Sequence, residues 1–424
     1  MNDLNKRLAA LSPEQRALLE KQLKKQGLDT LVKKEESGTI AVTLPGAASS
    51  QPGFKGTGLQ KKERDPNKGM DFSLYFFSGD GSTASRDKYQ LLLDCAKHGD
   101  EHGYAAVWTP ERHFQDFGGL YPNPAVLSAA LAMVTKNIEL RAGSVAIPLH
   151  HPIRVAEEWS VVDNLSGGRI AICAASGWHP NDFILSPKPN LEYYKNRRNE
   201  MIDALDTIQR LWQGETVTMT GIDGEEVSTR ILPRPIQQHL EFWFASQGAP
   251  ETLIKAGEMG GHILTGLVNQ PLHELEQKIK LYRDARAKAG HDPEKGKVAV
   301  MLHTFLGTDN NTVKEQARQP LTSYLRTFLR QQDNFKSDFD LATEADKDAL
   351  VAFAYERYFE ESTLLGTVDK CETLINNLID IGVTEVACLV DFGLAPETVL
   401  EGLQHLNELQ ERYRIKLSVQ GVQS

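Results

Sequence analysis

The stretch IELRAGSVAIPLHHPIRVAEEWSVVDNLSGGRIAICAA (138–175) holds a short apolar run, a longer segment of helical period and a second apolar run. That order is one βα unit followed by the next strand, and a chain of such units buries a parallel sheet beneath helices. Working outward, the alternation begins at Met70 and recurs toward the C-terminus. Runs at 70–77 (MDFSLYFF), 105–109 (AAVWT), 138–147 and 169–175 read as four strands, and 241–245 (EFWFA), 262–266 (HILTG), 298–306 (VAVMLHTFL) and 384–391 (TEVACLVD) supply four more. Eight strands close a (β/α)8 TIM barrel, expected over 70–415, with 416–424 as a tail. Two long gaps, 178–240 and 308–383, read as insertions after strands four and seven. The first should hold a helix near 191–213 and a hairpin turning at Gly221-Ile222-Asp223-Gly224. A doubly wound open sheet is the competing α/β fold, but no GxGxxG follows the first strand.

Composition narrows the function classes. The chain carries 57 acidic and 47 basic side chains, yet residues 1–69 hold 13 basic and 8 acidic ones, so the barrel region carries the acidic excess. Nucleic-acid binding draws on clustered Lys and Arg of the folded part and is not expected. No run approaches the roughly 18 apolar residues of a membrane-spanning helix, and the N-terminus lacks the apolar core of a secretion signal; a cytoplasmic protein without membrane contact is expected. Cys95, Cys173, Cys371 and Cys388 form no CxxC pair, so reduced, buried thiols are expected, with neither a disulfide framework nor a thiolate zinc site. Ser12-Pro13-Glu14-Gln15 reads as a helix start and Gly27 as its stop. Leu18, Leu19 and Leu23 form a stripe too small for a core, so segment 1–27 is expected to dock on the body or on another protein. Residues 28–69, rich in Gly, Ser, Pro and Lys, read as a linker.

Barrels keep their chemistry at the carboxyl ends of the strands. After strand two comes Thr109-Pro110-Glu111-Arg112-His113-Phe114, after strand three Pro148-Leu149-His150-His151-Pro152, after strand four Ser176-Gly177-Trp178-His179-Pro180. After strand five, Ser246-Gln247-Gly248-Ala249-Pro250-Glu251-Thr252 turns the chain into a helix, whose free amides and dipole suit a phosphate. Most such helix starts bind only water, so that signal alone is weak. Glu111-Arg112-His113 reads equally as a solvated loop, an ion pair or a catalytic group. His150 and His151 are adjacent in an extended segment and point oppositely, which speaks against a metal. His98 and His102, with Glu101 between them, lack a third ligand. No GxSxG elbow supports a hydrolase. Trp108, Trp178, Trp243, Phe114, Phe117 and Tyr121 suit a planar ligand or plain core packing.

Taken together, GYAAVWTPERHF (103–114), NPAVLSAALA (123–132), GSVAIPLHHPIRVAEEWSVVDNLSGGR (143–169) and ASGWHPNDF (175–183) resemble the bacterial luciferase-like monooxygenases. The match continues through YYKNRR (193–198) and SQGAPETLIKAGEMG (246–260), and HTF (303–305) with ACLVDFG (387–393) resembles the branch accompanying nonribosomal peptide and polyketide synthases. The resemblance implies a barrel that binds reduced FMN, supplied by a separate flavin reductase, and uses O2 to oxygenate an organic substrate, here one tethered to an acyl or peptidyl carrier protein. It implies a homodimer. It assigns the phosphate to Ser246, Gln247, Gly248, Ala249 and Thr252 with Arg198, and the ring and ribityl chain to Val145, Ala146, Ala175, Ser176, Gly177, Trp178 and Tyr194. Family members often carry a non-proline cis peptide at the position of Val145-Ala146. Ala175 stands where luciferase has a reactive cysteine, and Arg112-His113 stands where it has two histidines. Arg112 is therefore the candidate anion stabiliser, with His113 or His303 as proton donor or acceptor. The alternatives are deazaflavin-dependent hydride transfer on the same fold and a catalytically silent flavin-binding or docking protein.

Overall fold

The structure, a computed structural model, describes residues 67–77, 85–246, 248–267, 270–333 and 355–415, with Leu59, Asp65 and two short strands upstream. Those strands, Val32–Lys34 and Ile40–Val42, pair antiparallel within the span read as linker. The helix expected within 1–27 and the tail 416–424 lie outside the described residues, as does Gln247.

The barrel strands are β1 (Asp71–Tyr75), β2 (Ala106–Thr109), β3 (Glu139–Ala146), β4 (Ile170–Ala175), β5 (Glu241–Ala245), β6 (His262–Gly266), β7 (Val298–Leu306) and β8 (Glu385–Leu389). Each pairs in parallel with its sequence neighbours, β8 pairs with β1, and the β6–β7 pairing completes the cylinder. All eight expected strands are present, trimmed by at most two residues at an end. They read clearly because both faces are buried. Along β4, Ile170, Ile172 and Ala174 pack outward under the helices, while Ala171 and Cys173 face the lumen with Tyr75, Trp108, Trp243 and Ala387. A further three-residue strand, Leu364–Gly366, extends the pairing of β7 beyond the closed ring and carries no sequence signal of its own.

The outer helices are α1 (Gln90–His102), α2 (Pro124–Ala132), α3 (Pro152–Ser166), α4 (Leu191–Gln213), α5 (Pro250–Glu258), α6 (Leu272–Lys288), α7 (Asn310–Asp333), α8 (Val368–Asp380) and α9 (Pro396–Tyr413). Their starts follow local chemistry: Asn123 accepts from the Val126 amide before α2, and Asn190 accepts from the Tyr193 amide before α4. The first insertion contains α4 and the hairpin Val217–Thr220/Glu226–Thr229, which turns at 221–224. All four cysteines are free and buried. Among the described residues, no helix is long and apolar enough to cross a membrane.

The lumen is not wholly apolar. Arg141 on β3 donates through Nη1 to both oxygens of Glu385 on β8, at 3.0 and 2.8 Å, and through Nε to Glu139 at 2.8 Å. Its guanidinium lies 4.8 Å from the ring of Trp108 and 4.6 Å from that of Trp243. Ser73 Oγ donates to Glu385 at 2.5 Å, and Trp108 Nε1 lies 3.2 Å from the same oxygen. Burial alone would lower the Arg141 pKa, but the Glu385 and Glu139 charges outweigh it and raise it. Removing one partner of such a pair leaves the other charge buried and uncompensated, which costs about 3–5 kcal/mol. Arg141→Met is expected to lower the unfolding free energy by about that amount in urea titrations, and the double variant Arg141→Met/Glu385→Met to recover part of it.

Candidate active site

The carboxyl ends of the strands form one rim, and the four segments singled out in the sequence meet there. The side chain of Glu111, after β2, is buried and tied on three sides. Its Oε1 accepts from His113 Nε2 at 2.8 Å and from His150 Nε2 at 2.7 Å, and its Oε2 accepts from the Ala146 amide at 2.8 Å. One carboxylate thus fastens the loop after β2 to the last residue of β3 and to the turn beyond it. Burial opposes its charge, but the hydrogen bonds from His113 and His150 prevail and hold the carboxyl below its usual range. Burial likewise works against protonating His150; the hydrogen bond and charge of Glu111 overcome it and raise the imidazole. His151 turns the other way and caps α3, its Nδ1 accepting from the Ile153 amide at 3.3 Å.

The end of β3 is irregular. Its register against β4 shifts between Ala142 and Val145, and Ala146 leaves the strand at φ −79° and ψ 78°. Such a bulge re-aims the chain at a barrel rim. Gly143, at the bulge, accepts a hydrogen bond from the Tyr75 hydroxyl, and a Cβ there would stand 2.9 Å from the Tyr75 ring. Val145-Ala146 is trans: Leu232-Pro233 is the cis bond among the described residues, so the expected non-proline cis peptide is absent and the bulge shapes this corner instead. Phe114, closing the loop after β2, holds φ at +57°, a conformation that side chains bearing a Cβ adopt at a cost.

Arg112, buried, donates to Asp182 Oδ2 at 3.3 Å and lies 4.5 Å from the ring of Trp178. Burial lowers the arginine pKa against the opposing effect of Asp182, and burial raises the Asp182 pKa against the effect of Arg112. Both members shift against their charged forms, so this pair is more desolvated than compensated. Asp182 Oδ1, 3.9 Å from His179 Nδ1, and Thr109 Oγ1 at the end of β2 are buried and make no hydrogen bond among the described residues. Ala175, which ends β4, and Ser176 and Gly177 beyond it remain partly exposed. Helix α4 clamps this turn: Tyr194 Oη donates to the Trp178 carbonyl at 3.0 Å, and Arg197 Nε donates to that of Gly177 at 3.0 Å. Arg198, the arginine expected at the phosphate, is exposed on α4 beside it.

After β5, Ser246 is buried and its Oγ accepts from the Gly248 amide at 3.1 Å. Gly248 has φ +100°, and a Cβ on it would stand 2.7 Å from Lys278 Nζ and 2.9 Å from Gln270 Oε1. Lys278 donates to Gln270 at 2.8 Å, and Gln270 is anchored on Thr265 and Gly266 at the end of β6. An ammonium therefore stands beside the first turn of α5, which Ala249 caps and in which Thr252 lies. Across the mouth, His303 on β7 is fully buried, and burial pushes its pKa down to about 3, so its imidazole is neutral at physiological pH. Near it, Asp391 accepts from the Phe77 amide at 2.6 Å and from Tyr121 Oη at 2.7 Å.

Of the residues that shape the rim, Glu111 stood only within the triplet Glu111-Arg112-His113, His150 was weighed only as a metal ligand, Asp182 lay unremarked in ASGWHPNDF, and Lys278 carried no signal. The signals available were the Glu beside Arg112-His113 and the doubled histidine. Neither reveals that one carboxylate receives both imidazoles across 39 residues. Replacing Glu111 by Gln removes the charge shared by two imidazoles and sets an NH2 where one of the two acceptor oxygens stood, and is expected to destabilise the protein by about 1–3 kcal/mol. The depressed Glu111 contributes stability above the unfolded carboxyl value, lost as pH falls through its folded value. The raised His150 contributes below the unfolded imidazole value, lost as pH rises through its folded value. The penalty in thermal melts should therefore be largest between about pH 4.5 and 6.5 and shrink toward pH 9.

The family model described as luciferase-like monooxygenase matches residues 70–385, the barrel through the start of its last strand. The oxygenase component of flavin-dependent trigonelline monooxygenase from Acinetobacter baylyi is 23% identical over 354 residues, covering 81% of this chain and 96% of that protein. The 4-hydroxyprotoasukamycin monooxygenase of Streptomyces nodosus subsp. asukaensis is 25% identical over 288 residues, covering 66% and 74%. Among solved structures, the oxygenating constituent of 3,6-diketocamphane monooxygenase from Pseudomonas putida, in complex with FMN, has a TM-score of 0.67 at 20% identity over 82% of this chain and 99% of that one. With the barrel, the rim and the matched span in agreement, this chain belongs to the luciferase-like monooxygenases, a family of flavin-dependent oxidoreductases.

Proposed function

We propose that this chain is the oxygenase component of a two-component system: it takes reduced FMN from a separate flavin reductase and inserts one oxygen atom from O2 into an acyl or peptidyl substrate held on a carrier protein. The observation that carries the flavin reading is that Ala146 and Ala175 end β3 and β4 and Ser246 follows the adjacent β5, in one arc of the rim. The residues there fit the group. The first turn of α5, Ser246, Gly248 and the Lys278 ammonium suit a phosphate of nearly two negative charges. The unbonded Thr109 Oγ1 and Asp182 Oδ1 suit a polar ring edge. Reduced FMN held there supplies two electrons, by which one atom of O2 enters the substrate and the other leaves as water.

The chain's own residues have separate tasks in this reading. Val145, Ala146, Ala175, Ser176, Gly177, Trp178 and Tyr194 wall the ring and ribityl chain, while Ser246, Gln247, Gly248, Ala249 and Thr252 with Lys278 and Arg198 hold the phosphate. Arg112 keeps a cation in a water-poor corner, where its field on a developing anion is strong. His113, whose Nε2 is oriented by Glu111, holds or moves a proton at its other nitrogen. The carrier-bound substrate rests on the resemblance of HTF (303–305) and ACLVDFG (387–393) to the synthase-associated branch. A homodimer is supported by an exposed apolar face: Val126 and Met133 from α2 and its C-cap, with Val161 and Leu165 of the adjacent α3.

Calorimetric titration should give FMN a clear advantage over riboflavin. Lys278→Ala is expected to weaken FMN by roughly tenfold and leave riboflavin unchanged, the size of one charge-assisted hydrogen bond. Gly248→Val should abolish the preference. Equal affinities for FMN and riboflavin would sink the phosphate assignment. Full-length protein given a flavin reductase, O2 and an acyl-loaded carrier should add the mass of one oxygen atom. Hydride transfer from a deazaflavin with no oxygen gained, or no turnover at all, would favour one of the two alternatives.

A further inference from the structure

The opposite side of the mouth has a different character. Along β7, Ala299 and Met301 face the lumen while Val298, Val300 and Leu302 face the helices, so the alternation places His303 on the lumen side at the rim. Its ring meets Tyr324 of α7 edge-on at 4.5 Å, Phe392 at 5.4 Å and Tyr358 at 5.7 Å. Tyr324 crosses the mouth to Phe117, at 4.7 Å, and Phe117 meets Phe77 at 5.0 Å. Phe77 and Tyr324 stay partly exposed while Phe117 and Phe392 are buried, so the rings wall this side of the mouth and two of them keep accessible surface.

Within these walls one polar atom has no counterpart. His303 Nδ1 lies 3.2 Å from Tyr358 Oη, while the fully buried Nε2 makes no hydrogen bond among the described residues. Tyr358 has no other hydrogen bond there, and its O–H must go somewhere. Donation of that proton to Nδ1 satisfies the phenol and leaves Nε2–H as a buried donor without an acceptor. An unmet donor costs enough that native structures rarely keep one without a reason.

We infer that the β7–β8 side of the mouth receives an aromatic substrate group bearing a carbonyl, with the Nε2–H of His303 donating to that oxygen and Phe77, Phe117, Tyr324 and Phe392 packing on the ring. This assignment rests on the reading above in that a flavin occupies the β3–β5 side and leaves this side to the substrate. The imidazole is a neutral recognition group here. Its low pKa keeps the donor present and uncharged throughout the physiological range.

Nitrogen-15 NMR of histidine-labelled full-length protein reads the tautomer: a neutral ring protonated at Nε2 from about pH 5 to about pH 8 is expected, and protonation at Nδ1 overturns the assignment. Calorimetry on FMN-loaded protein then compares 2-acetonaphthone with 2-isopropenylnaphthalene, probes of one shape that differ in the carbonyl oxygen. The ketone should bind more tightly by roughly 2- to 10-fold, the worth of one net hydrogen bond. His303→Leu should erase that preference while the hydrocarbon stays within about twofold, and His303→Gln, which keeps a donor, should retain part of it. Equal affinities of the native protein for the two probes, or binding of neither to protein that takes up FMN, overturns the inference. A ketone preference in protein that does not bind FMN supports the chamber and overturns the flavin reading instead.

Discussion

Every position at the rim is measured from the salt bridge between Arg141 and Glu385 in the barrel lumen. A guanidinium in so dry a place is tolerable because its charge is met by carboxylates and its faces by the indoles of Trp108 and Trp243. The network draws on β1 through Ser73, β2 through Trp108, β3 through Arg141, β5 through Trp243 and β8 through Glu385. A slip of any of these strands by one residue would turn its member of the network out toward the helices. The registers are thereby held, and with them the heights at which Thr109, Ala146, Ala175 and Ser246 emerge.

Above that floor the rim divides. One half, from the loop after β2 to α5, is polar and carries the local irregularities: the β3 bulge, the left-handed Phe114, an ion pair whose members both shift against their charges, and a glycine pressed against an ammonium. Glu111 is its hinge pin, since it bonds to three separate points of the β2 and β3 ends. The other half, from β7 to β1, is aromatic, with one neutral imidazole and the buried carboxylate of Asp391. Departures from local rules gather at functional sites because only a ligand or a reaction gives them something to offset. That a polar and an aromatic half face each other across one mouth suits a reaction between a charged cofactor and a less polar substrate.

Much of this was legible in the linear chain. Strands buried on both faces appear as unbroken apolar runs, so all eight were found, and EFWFA, HILTG and VAVMLHTFL matched the strands residue for residue. Helix α4 and the hairpin at 221–224 were also legible, the hairpin through its Gly-x-x-Gly turn. The rim segments were legible too, because a barrel keeps its chemistry where its strands end. The short strand Leu364–Gly366 was not, since three residues carry no periodicity. Nor was the trans geometry of Val145-Ala146, where a bulge does the shaping.

Within the rim the limit is one of distance. Local order along the chain decided which residues stand at the strand ends, and thus the fold, the family and the outline of the site. Which of them touch was decided only when the sheet closed. Glu111 meets His150, Arg112 meets Asp182, Gly248 meets Lys278 and His303 meets Tyr358 across tens of residues of chain. Such pairings depend on the stagger of the strands and the tilt of the helices around the cylinder, which sum over every side chain in the core and are written in no short motif.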